Sequence, residues 1–337
     1  MELLDIFSDD AFSAISLTER ANNPDIVPHV PGRLGELGLF AEVGIRTETV
    51  AIERRDNQLQ LVQSVPRGAP PKQGREAGRT LTPFLIPHLP YEDHVKASEV
   101  QGVRQFGEPS GELEAVQEVV DDRMATMTRD MDATLEHLRM SALNGVILDA
   151  DGSTIYDLFS EFGLTPPAQV DFELDVDTTD VRGKCSALIR DTEDALGNAT
   201  YTGMHSFCSA SFFDALVDHA QVREAYDRWM DGEFLRMRTA RRMFAYAGIM
   251  FEEYRGKVGG TDFVADGEAR FFPIGANGVF VTHFAPGDFI ETVNTVGLPR
   301  YAKQEVAKFG RGVDVLMESN PLPIVTRPEA LRSAIAS

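Results

Sequence analysis

The 337-residue sequence predicts an α+β protein. The first observation is a very long amphipathic segment, residues 110–144, whose apolar side chains recur every three or four positions. The second is a series of short apolar and aromatic stretches, mostly after residue 145, that Gly and Pro interrupt. The third is the lack of βαβ alternation and of any internal repeat. Together they favour one dominant helix accompanied by many short strands.

Residues 110–144 predict one straight helix, named here the spine helix. Its apolar positions are Leu113, Val116, Val120, Met124, Met127, Met131, Leu135, Leu138 and Ala142. Pro109 precedes it, Ser110 is a suitable N-cap, and Asn144-Gly145 supplies the stop. At ~1.5 Å per residue the helix is on the order of 50 Å long. Because its other face is highly charged, we expect it to lie along a surface.

Residues 1–43 predict an extended arm, because they contain many Pro, Gly and Asn residues and little regular pattern. A short helix can begin near Ser8, where Asp9 and Asp10 add capping groups. The arm has little apolar core of its own, so two interpretations stay open. It embraces a neighbouring subunit, or it wraps on its own domain.

Residues 44–92 predict a β-hairpin that leads into an exposed loop. The hairpin turns at Asp56-Asn57, and its facing apolar residues are Val50, Ile52, Leu59 and Leu61. Residues 66–80 are rich in Gly and Pro and hold almost no apolar side chains, which predicts a mobile loop.

This loop and the spine helix carry opposite charges. The loop cations are Arg67, Lys72, Arg75 and Arg79; acidic residues of the helix include Glu118, Asp122, Asp130 and Glu136. We predict that these eight residues form an inter-subunit interface, in which the loop of one copy docks on the spine helix of another. The alternative is that both are solvated faces.

The rest of the chain predicts shorter elements. Residues 170–177 alternate strictly between apolar and acidic side chains, which indicates a half-buried strand. Ser211, with Asp214 three positions later, predicts the start of a helical pair that ends at Trp229. The other predicted elements are a hairpin at 146–156 around a turn at 149–152, aromatic strands within 243–300, and a last strand with a Pro-containing edge within 313–325.

Charge and composition argue against several classes of protein. The net charge of −21 opposes general coating of nucleic acid through phosphate contacts, but it is compatible with enclosing nucleic acid without tight binding. No apolar run reaches the ~20 residues that cross a bilayer, and the acidic N-terminus is unlike a signal peptide. The two cysteines, Cys185 and Cys208, do not make a disulfide framework, so a reducing cytosol is the expected compartment.

The sequence contains no recognisable catalytic, cofactor or metal motif. It has no GxSxG, no Walker A and no GxGxxG behind a strand, and its histidines show no metal-ligand spacing. The turn at 149–152 lacks the Gly and Glu positions of a calcium loop. One acidic alternative stays open, a metal site on the predicted strand made by Asp171, Glu173, Asp175 and Asp177, although a solvated face is the simpler interpretation. We therefore predict a protein that is not an enzyme and has no cofactor.

Segments along nearly the whole chain carry a resemblance to a known family. They are DAFSAISLTERANN (10–23), LGELGLFAEVGIRTETVAIE (34–53), LQLVQSVPRGAPP (59–71), FLIPHLPYED (84–93), DALGNATYTGMHSFCSASFFDALVDHAQVREAY (194–226) and FGRGVDVLMESNPLPIVTRPEAL (309–331). In these segments the chain resembles the lambda-type (E-type) major capsid proteins of tailed bacteriophages, which have the Hong Kong 97-type capsid fold. No single segment is a catalytic motif; their order and coverage make the resemblance specific.

The resemblance implies an architecture of five parts. They are an N-terminal arm (1–43), an extended loop (44–92), a peripheral domain (93–200) with the spine helix 110–144, an axial domain (201–300) and a return to the peripheral domain (301–337). In that fold the arm reaches to neighbours, and the extended loop overlies the spine helix of an adjacent subunit.

The resemblance also implies a function and partners. Copies would assemble as pentamers and hexamers into an icosahedral shell that encloses double-stranded DNA without binding it specifically, in the host cytoplasm first and then as the virion. The implied partners are further copies, a separate scaffolding protein and a portal protein; decoration proteins are common partners in the family, but the sequence does not indicate whether this shell has one, and no membrane is implied. Two alternatives stay open: an encapsulin-like shell that holds cargo protein, and a cytosolic enzyme that uses the acidic site described above.

Overall fold

The computed structural model describes residues 18, 22, 32–55, 79–100, 111–197, 199–231, 242–258 and 261–337. Its helices are α1 (Arg33–Glu36), α2 (Ala97–Val100), α3 (Gly111–Leu143), α4 (Leu158–Glu161), α5 (Val181–Leu196), α6 (Ala210–Asp218) and α7 (Ala220–Asp231). Its strands are β1 (Ala41–Gly44), β2 (Thr49–Arg55), β3 (Arg79–Leu85), β4 (Leu89–Lys96), β5 (Val146–Leu148), β6 (Thr154–Asp157), β7 (Val170–Asp171), β8 (Gly203–Cys208), β9 (Met243–Tyr246), β10 (Ile249–Glu253), β11 (Lys257–Val258), β12 (Thr261–Asp262), β13 (Glu268–Ile274), β14 (Phe280–Phe284), β15 (Tyr301–Val306), β16 (Gly312–Ser319), β17 (Pro321–Val325) and β18 (Arg332–Ile335).

The chain divides into two compact units. The first comprises Met1–Val50, Phe84–Leu138 and Thr282–Pro323. The second comprises Ala51–Pro83, Arg139–Val281 and Ile324–Ser337.

The spine helix is confirmed as α3, whose 33 residues lie inside the predicted range. In the first unit its apolar stripe packs on the three-stranded sheet β15-β16-β4. Met124, Met127 and Met131 of the helix share one buried cluster with Val315 and Met317 of the central strand β16. Each such side chain contributes about 1.5–3 kcal/mol when it leaves water. The helix is therefore held by its apolar stripe, as its period predicts.

The described residues of the arm lie on the first unit of their own chain. The hydroxyl of Thr18 donates to the carbonyl of Ala302 on β15 and accepts from its amide, both at 3.1 Å. In α1, Leu34 is completely buried and its amide donates to the carboxylate of Glu136 on α3 at 2.7 Å. These residues therefore contact their own domain, and an embrace of a neighbouring subunit by the arm stays a prediction. The helix predicted near Ser8 lies outside the described residues.

The second unit is built on a six-stranded sheet in the order β7-β18-β13-β8-β10-β9. Its core combines this sheet with helices α5, α6 and α7 through a network of aromatic rings. The ring of Phe172 stacks on Phe271 and meets Phe212 edge-on, and Phe251 meets Phe271 edge-on. The aromatic strands predicted within 243–300 thus supply much of this core.

One connection in this sheet differs from the sequence expectation. Strands β8 and β10 are parallel neighbours, and the chain passes from one to the other through α6, α7 and β9. Parallel neighbours need a long crossover because the chain must return to the same end of the sheet. A helical crossover is therefore present, although the sequence shows no βαβ alternation.

The strand predicted at 170–177 is wrong beyond its first two residues. Only Val170–Asp171 pairs, with β18, and Glu173 adopts a left-handed φ of 47° that ends the strand. The chain then turns toward α5, where the carboxylate of Asp180 accepts from the amide of Gly183 at 2.8 Å and caps the helix. Burial of Phe172 and Leu174 preserves the apolar alternation without an extended strand.

Other predicted boundaries shift in detail. The hairpin β5–β6 is confirmed, and so is the helical pair, but the N-cap of α6 is Ser209 rather than Ser211. Strand β2 pairs with β3, whereas the predicted partner stretch around Leu59 and its turn lie outside the described residues. The region 313–325 forms two strands, and β18 follows them as a further strand.

Candidate assembly surface

The eight residues predicted to form an interface have different surroundings. Arg67, Lys72 and Arg75 lie outside the described residues. Arg79 is the first residue of β3 and Glu118 lies within α3, and for both the description is limited to the backbone. The remaining three, all on α3, can be placed with their side chains.

Asp122 and Asp130 are exposed on α3. The carboxylate of Asp130 accepts from the Tyr91 hydroxyl at 3.0 Å. This hydrogen bond, more than burial or the neighbouring charges, raises the pKa of Tyr91, because a phenolate there would lose it. Both carboxylates face solvent and can meet a cationic partner.

Glu136 is only 7% exposed. Its carboxylate holds the amide of Leu34, and the adjacent Gly32 approaches so closely that an added Cβ would lie 2.2 Å from the Glu136 carboxyl carbon. The Glu136 carboxylate therefore forms its contacts within the subunit, because α1 covers this side of α3. We leave Glu136 out of the surface proposed below.

Asp132, one turn before Glu136, is also buried and pairs with the guanidinium of Arg300. The side-chain amide of Asn22 donates to the backbone carbonyl of the same Arg300 at 2.8 Å. Two acidic residues of the helix thus serve the internal structure of the first unit. The exposed charged face of α3 is therefore narrower than the period of its apolar residues predicts.

The open face of the sheet β15-β16-β4 is an acidic surface that sequence reasoning missed. Cross-strand register places Leu316 between Lys303 and Glu92, and Asp314 between Glu305 and His94. All of these residues except His94 border a shallow hollow of about 310 Å³. Strand pairing brings together residues more than 200 positions apart in the sequence, such as His94 and Asp314. No local sequence pattern could therefore have predicted this acidic surface.

A larger pocket of about 480 Å³ lies elsewhere in the first unit. We name it the Val293 pocket; its walls include Leu85, Ile86, His88, Phe289, Val293 and Asn320. The side chain of Asn320 is fixed by a 2.8 Å contact with the His88 ring and by donation to the Pro286 carbonyl at 2.7 Å. The pocket therefore has a structured floor with apolar side walls.

Several large apolar side chains are exposed near the end of the first unit's sequence. Val293 is 66% exposed at the pocket, and Ile290 and Phe309 are more than nine-tenths exposed. A contiguous apolar patch is typical of a surface that contacts another protein, whereas single exposed apolar side chains are common. No local sequence pattern marks these side chains as exposed, because exposure depends on the fold.

Both cysteines and the acidic residues at 171–177 lie among the described residues. Burial raises the pKa of the Cys185 and Cys208 thiols to about 12, so neither is a thiolate near neutral pH. Glu173 pairs with Lys184 at 2.7 Å. Within the described ranges no three His, Cys, Asp or Glu side chains are grouped to hold a metal ion. No helix among those ranges is long and apolar enough to cross a membrane.

Comparison with known proteins gives a consistent family. The model of the family described as "Phage major capsid protein E" matches residues 13–336. The major capsid protein of Pseudomonas phage KPP10 is 31% identical over 328 residues, covering 90% of this chain and 92% of that protein. The major capsid protein of Salmonella phage Felix O1 is 26% identical over 358 residues, covering 95% of each.

A solved structure shows the same architecture at low identity. The prophage capsid protein from E.coli CFT073 aligns with a TM-score of 0.60 and 13% identity, over 96% of this chain and 99% of that chain. This likeness shows the fold, which is the Hong Kong 97-type capsid fold predicted from the sequence.

Proposed function

The chain belongs to the phage major capsid protein E family and is a major capsid protein of a tailed phage, and we propose that its copies assemble as pentamers and hexamers into an icosahedral shell around double-stranded DNA. The observation that carries the proposal is the family match over residues 13–336. A net charge of −21 supports enclosure of DNA without specific binding, since it disfavours tight phosphate contacts.

The loop-on-helix contact is part of this proposal. The cations are Arg67, Lys72, Arg75 and Arg79 of the loop; the anions are Glu118, Asp122 and Asp130 of α3. The exposure of Asp122 and Asp130 supports the contact, because their carboxylates face solvent in the single subunit. Charge pairs of this kind orient two partners and select the correct register more than they add affinity.

The proposed partners follow from the family resemblance. A separate scaffolding protein would guide assembly in the host cytoplasm, and a portal protein would occupy one vertex. A decoration protein, where the phage encodes one, would bind the finished shell. A cargo-holding shell of the encapsulin type is the second candidate, since the same fold would serve it. Particles that contain protein cargo instead of DNA would favour that candidate.

The first test is the mass and shape of the purified full chain, by light scattering and negative-stain microscopy at several salt concentrations. We expect shells, tubes, or rings of five and six times the 37.2 kDa chain. A single species of one chain mass at every concentration would overturn assembly by the chain itself.

The second test addresses the loop. Arg75→Glu with Arg79→Glu should weaken assembly and leave the subunit folded, because both changes oppose the acidic helix. The matched control reverses Arg223 and Arg228, which are exposed on α7, and makes the same change in net charge. If the loop variant forms particles as readily as the control and with equal resistance to salt, the loop-on-helix contact is wrong.

A further inference from the structure

The hairpin between β15 and β16 presents an exposed aromatic side chain at its tip. The turn is closed by hydrogen bonds from Gly310 N to Ala307 O and from Ala307 N to Gly312 O, both 3.0 Å. At its apex Phe309 is 92% exposed and adopts φ 67° and ψ 17°. Gly and Asn enter this left-handed region readily, whereas a bulky side chain is strained there. An apolar ring is unfavourable in water, and a bulky residue is unfavourable at this φ. Because both effects disfavour Phe at position 309, its presence indicates that the side chain binds a partner.

The flanks of Phe309 make the tip positive in an acidic protein. Lys308 and Arg311 are both exposed. Neither side chain makes an ion pair with another residue in the described ranges. The tip, residues 307–311, therefore combines one apolar knob with two cations that remain available to a partner.

The Val293 pocket has the complementary character. Its side walls include Leu85, Phe289 and Val293, and Glu48 and Asp288 also border it. Arg46 at the same rim offsets one of these two negative charges. A pocket volume of about 480 Å³ accommodates an aromatic ring. The exposed apolar walls at Leu85 and Val293 would be removed from water when a ring binds, which favours binding.

We propose that the Phe309 side chain of one copy inserts into the Val293 pocket of a second copy, with Lys308 and Arg311 facing Glu48 and Asp288. The inference rests on the proposed function, which makes a second copy the expected occupant. Knob and pocket are different surfaces of one chain, so the contact is head-to-tail and can propagate around a closed ring. Burial in the pocket accounts for an exposed aromatic residue at a strained position.

The test links two copies through single introduced cysteines. One full-length chain carries Lys308→Cys, which keeps Phe309, and the other carries Val293→Cys. The two chains are mixed with a short bis-maleimide at neutral pH. The native cysteines stay silent because burial raises the pKa of both thiols to about 12. We expect a crosslinked pair of chains, and at least tenfold less of it when Phe309→Asn is added to the first chain.

Two controls make the result specific. Ala247→Asn changes another non-Gly residue with positive φ, at 48°, in the turn between β9 and β10, and should leave the crosslink unchanged. Val176→Cys replaces an apolar residue that is 45% exposed in the second unit, and should give only background product when it substitutes for Val293→Cys. Asn suits the backbone at 309, so the thermal midpoint of the Phe309→Asn subunit should equal or exceed that of the parent.

The outcomes separate this inference from the proposed function. Equal crosslinking with Val176→Cys, or an undiminished yield with Phe309→Asn, would overturn the contact. Particles that form without the Lys308–Val293 crosslink would also overturn it and leave the shell function standing. A specific crosslink in a chain that forms no particles would support the contact and count against assembly by the chain itself.

Discussion

The attachment of α1 to the spine helix gives the sharpest prediction. Leu34 is fully buried, and its amide donates to the Glu136 carboxylate at 2.7 Å. Glu136→Ala removes the acceptor and leaves that amide without its partner on α3. A hydrogen bond to a charged group contributes about 1.5–3 kcal/mol, and a loss of ~2 kcal/mol corresponds to roughly a 30-fold shift in an opening equilibrium.

Hydrogen exchange detects this opening directly. We expect the Leu34 amide of the Glu136→Ala subunit to exchange on the order of 30-fold faster than in the parent, because protection reports local unfolding. Glu136→Gln keeps an oxygen acceptor and should fall between the two. Asp122→Ala, an exposed change on the same helix, is the control and should leave the exchange of Leu34 unaltered.

One result would refute the reasoning. If Glu136→Ala leaves Leu34 protected but weakens association between copies, the carboxylate acts between subunits, as the sequence pattern first indicated. The assignment of Glu136 to the internal structure of the first unit would then be wrong.

Three other predictions concern stability, each measured by denaturant unfolding. Gly297→Ala should lower the free energy of unfolding by about 1–3 kcal/mol, because the new Cβ would lie 2.0 Å from the Phe284 carbonyl oxygen. The control Gly203→Ala, whose Cβ would have no atom within 4 Å, should change it by no more than about 0.5 kcal/mol. Glu252→Leu should lower the free energy of unfolding by about 3 kcal/mol, because it removes the buried partner of His205 at 3.0 Å. Adding His205→Leu should recover most of this loss. An unchanged unfolding midpoint in the single variant would contradict the role of the pair. Burial raises the pKa of the Cys185 and Cys208 thiols from about 8.5 in the unfolded chain to about 12. The two thiols therefore contribute fully to the free energy of unfolding below pH ~8.5, and this contribution is lost as the pH rises from there toward 12. Replacing both cysteines by alanine should reduce this loss of stability at alkaline pH.

Local sequence pattern was sufficient for elements whose signals lie within one segment. The helix 111–143 follows from the period of its own apolar residues, and the hairpin β5–β6 follows from two short strands around the turn at 149–152. The pair α6–α7 was also visible, although its cap moved by two residues. These signals are local because a helix or a tight turn is specified by neighbours within a few positions.

The family resemblance supplied the fold, because order and coverage of segments along the chain carry information that no single motif has. It did not supply the surroundings of individual charges. Asp132 and Glu136 look like members of a solvated face, yet their partners lie 168 and 102 positions away. A helical period cannot tell which distant segment will cover a given face.

The sequence by itself therefore determined the spine helix, the hairpin β5–β6 and the family, whereas tertiary structure decided which residues are available to a partner. Because α1 packs on α3, Glu136 is no longer available at the expected interface, and Arg300 pairs with a second acidic residue of the helix, Asp132. Strand register assembled the open acidic face, and the turn after β15 left Phe309 exposed. The physical reason is that burial and register depend on contacts between segments far apart in the chain, which local periodicity does not encode.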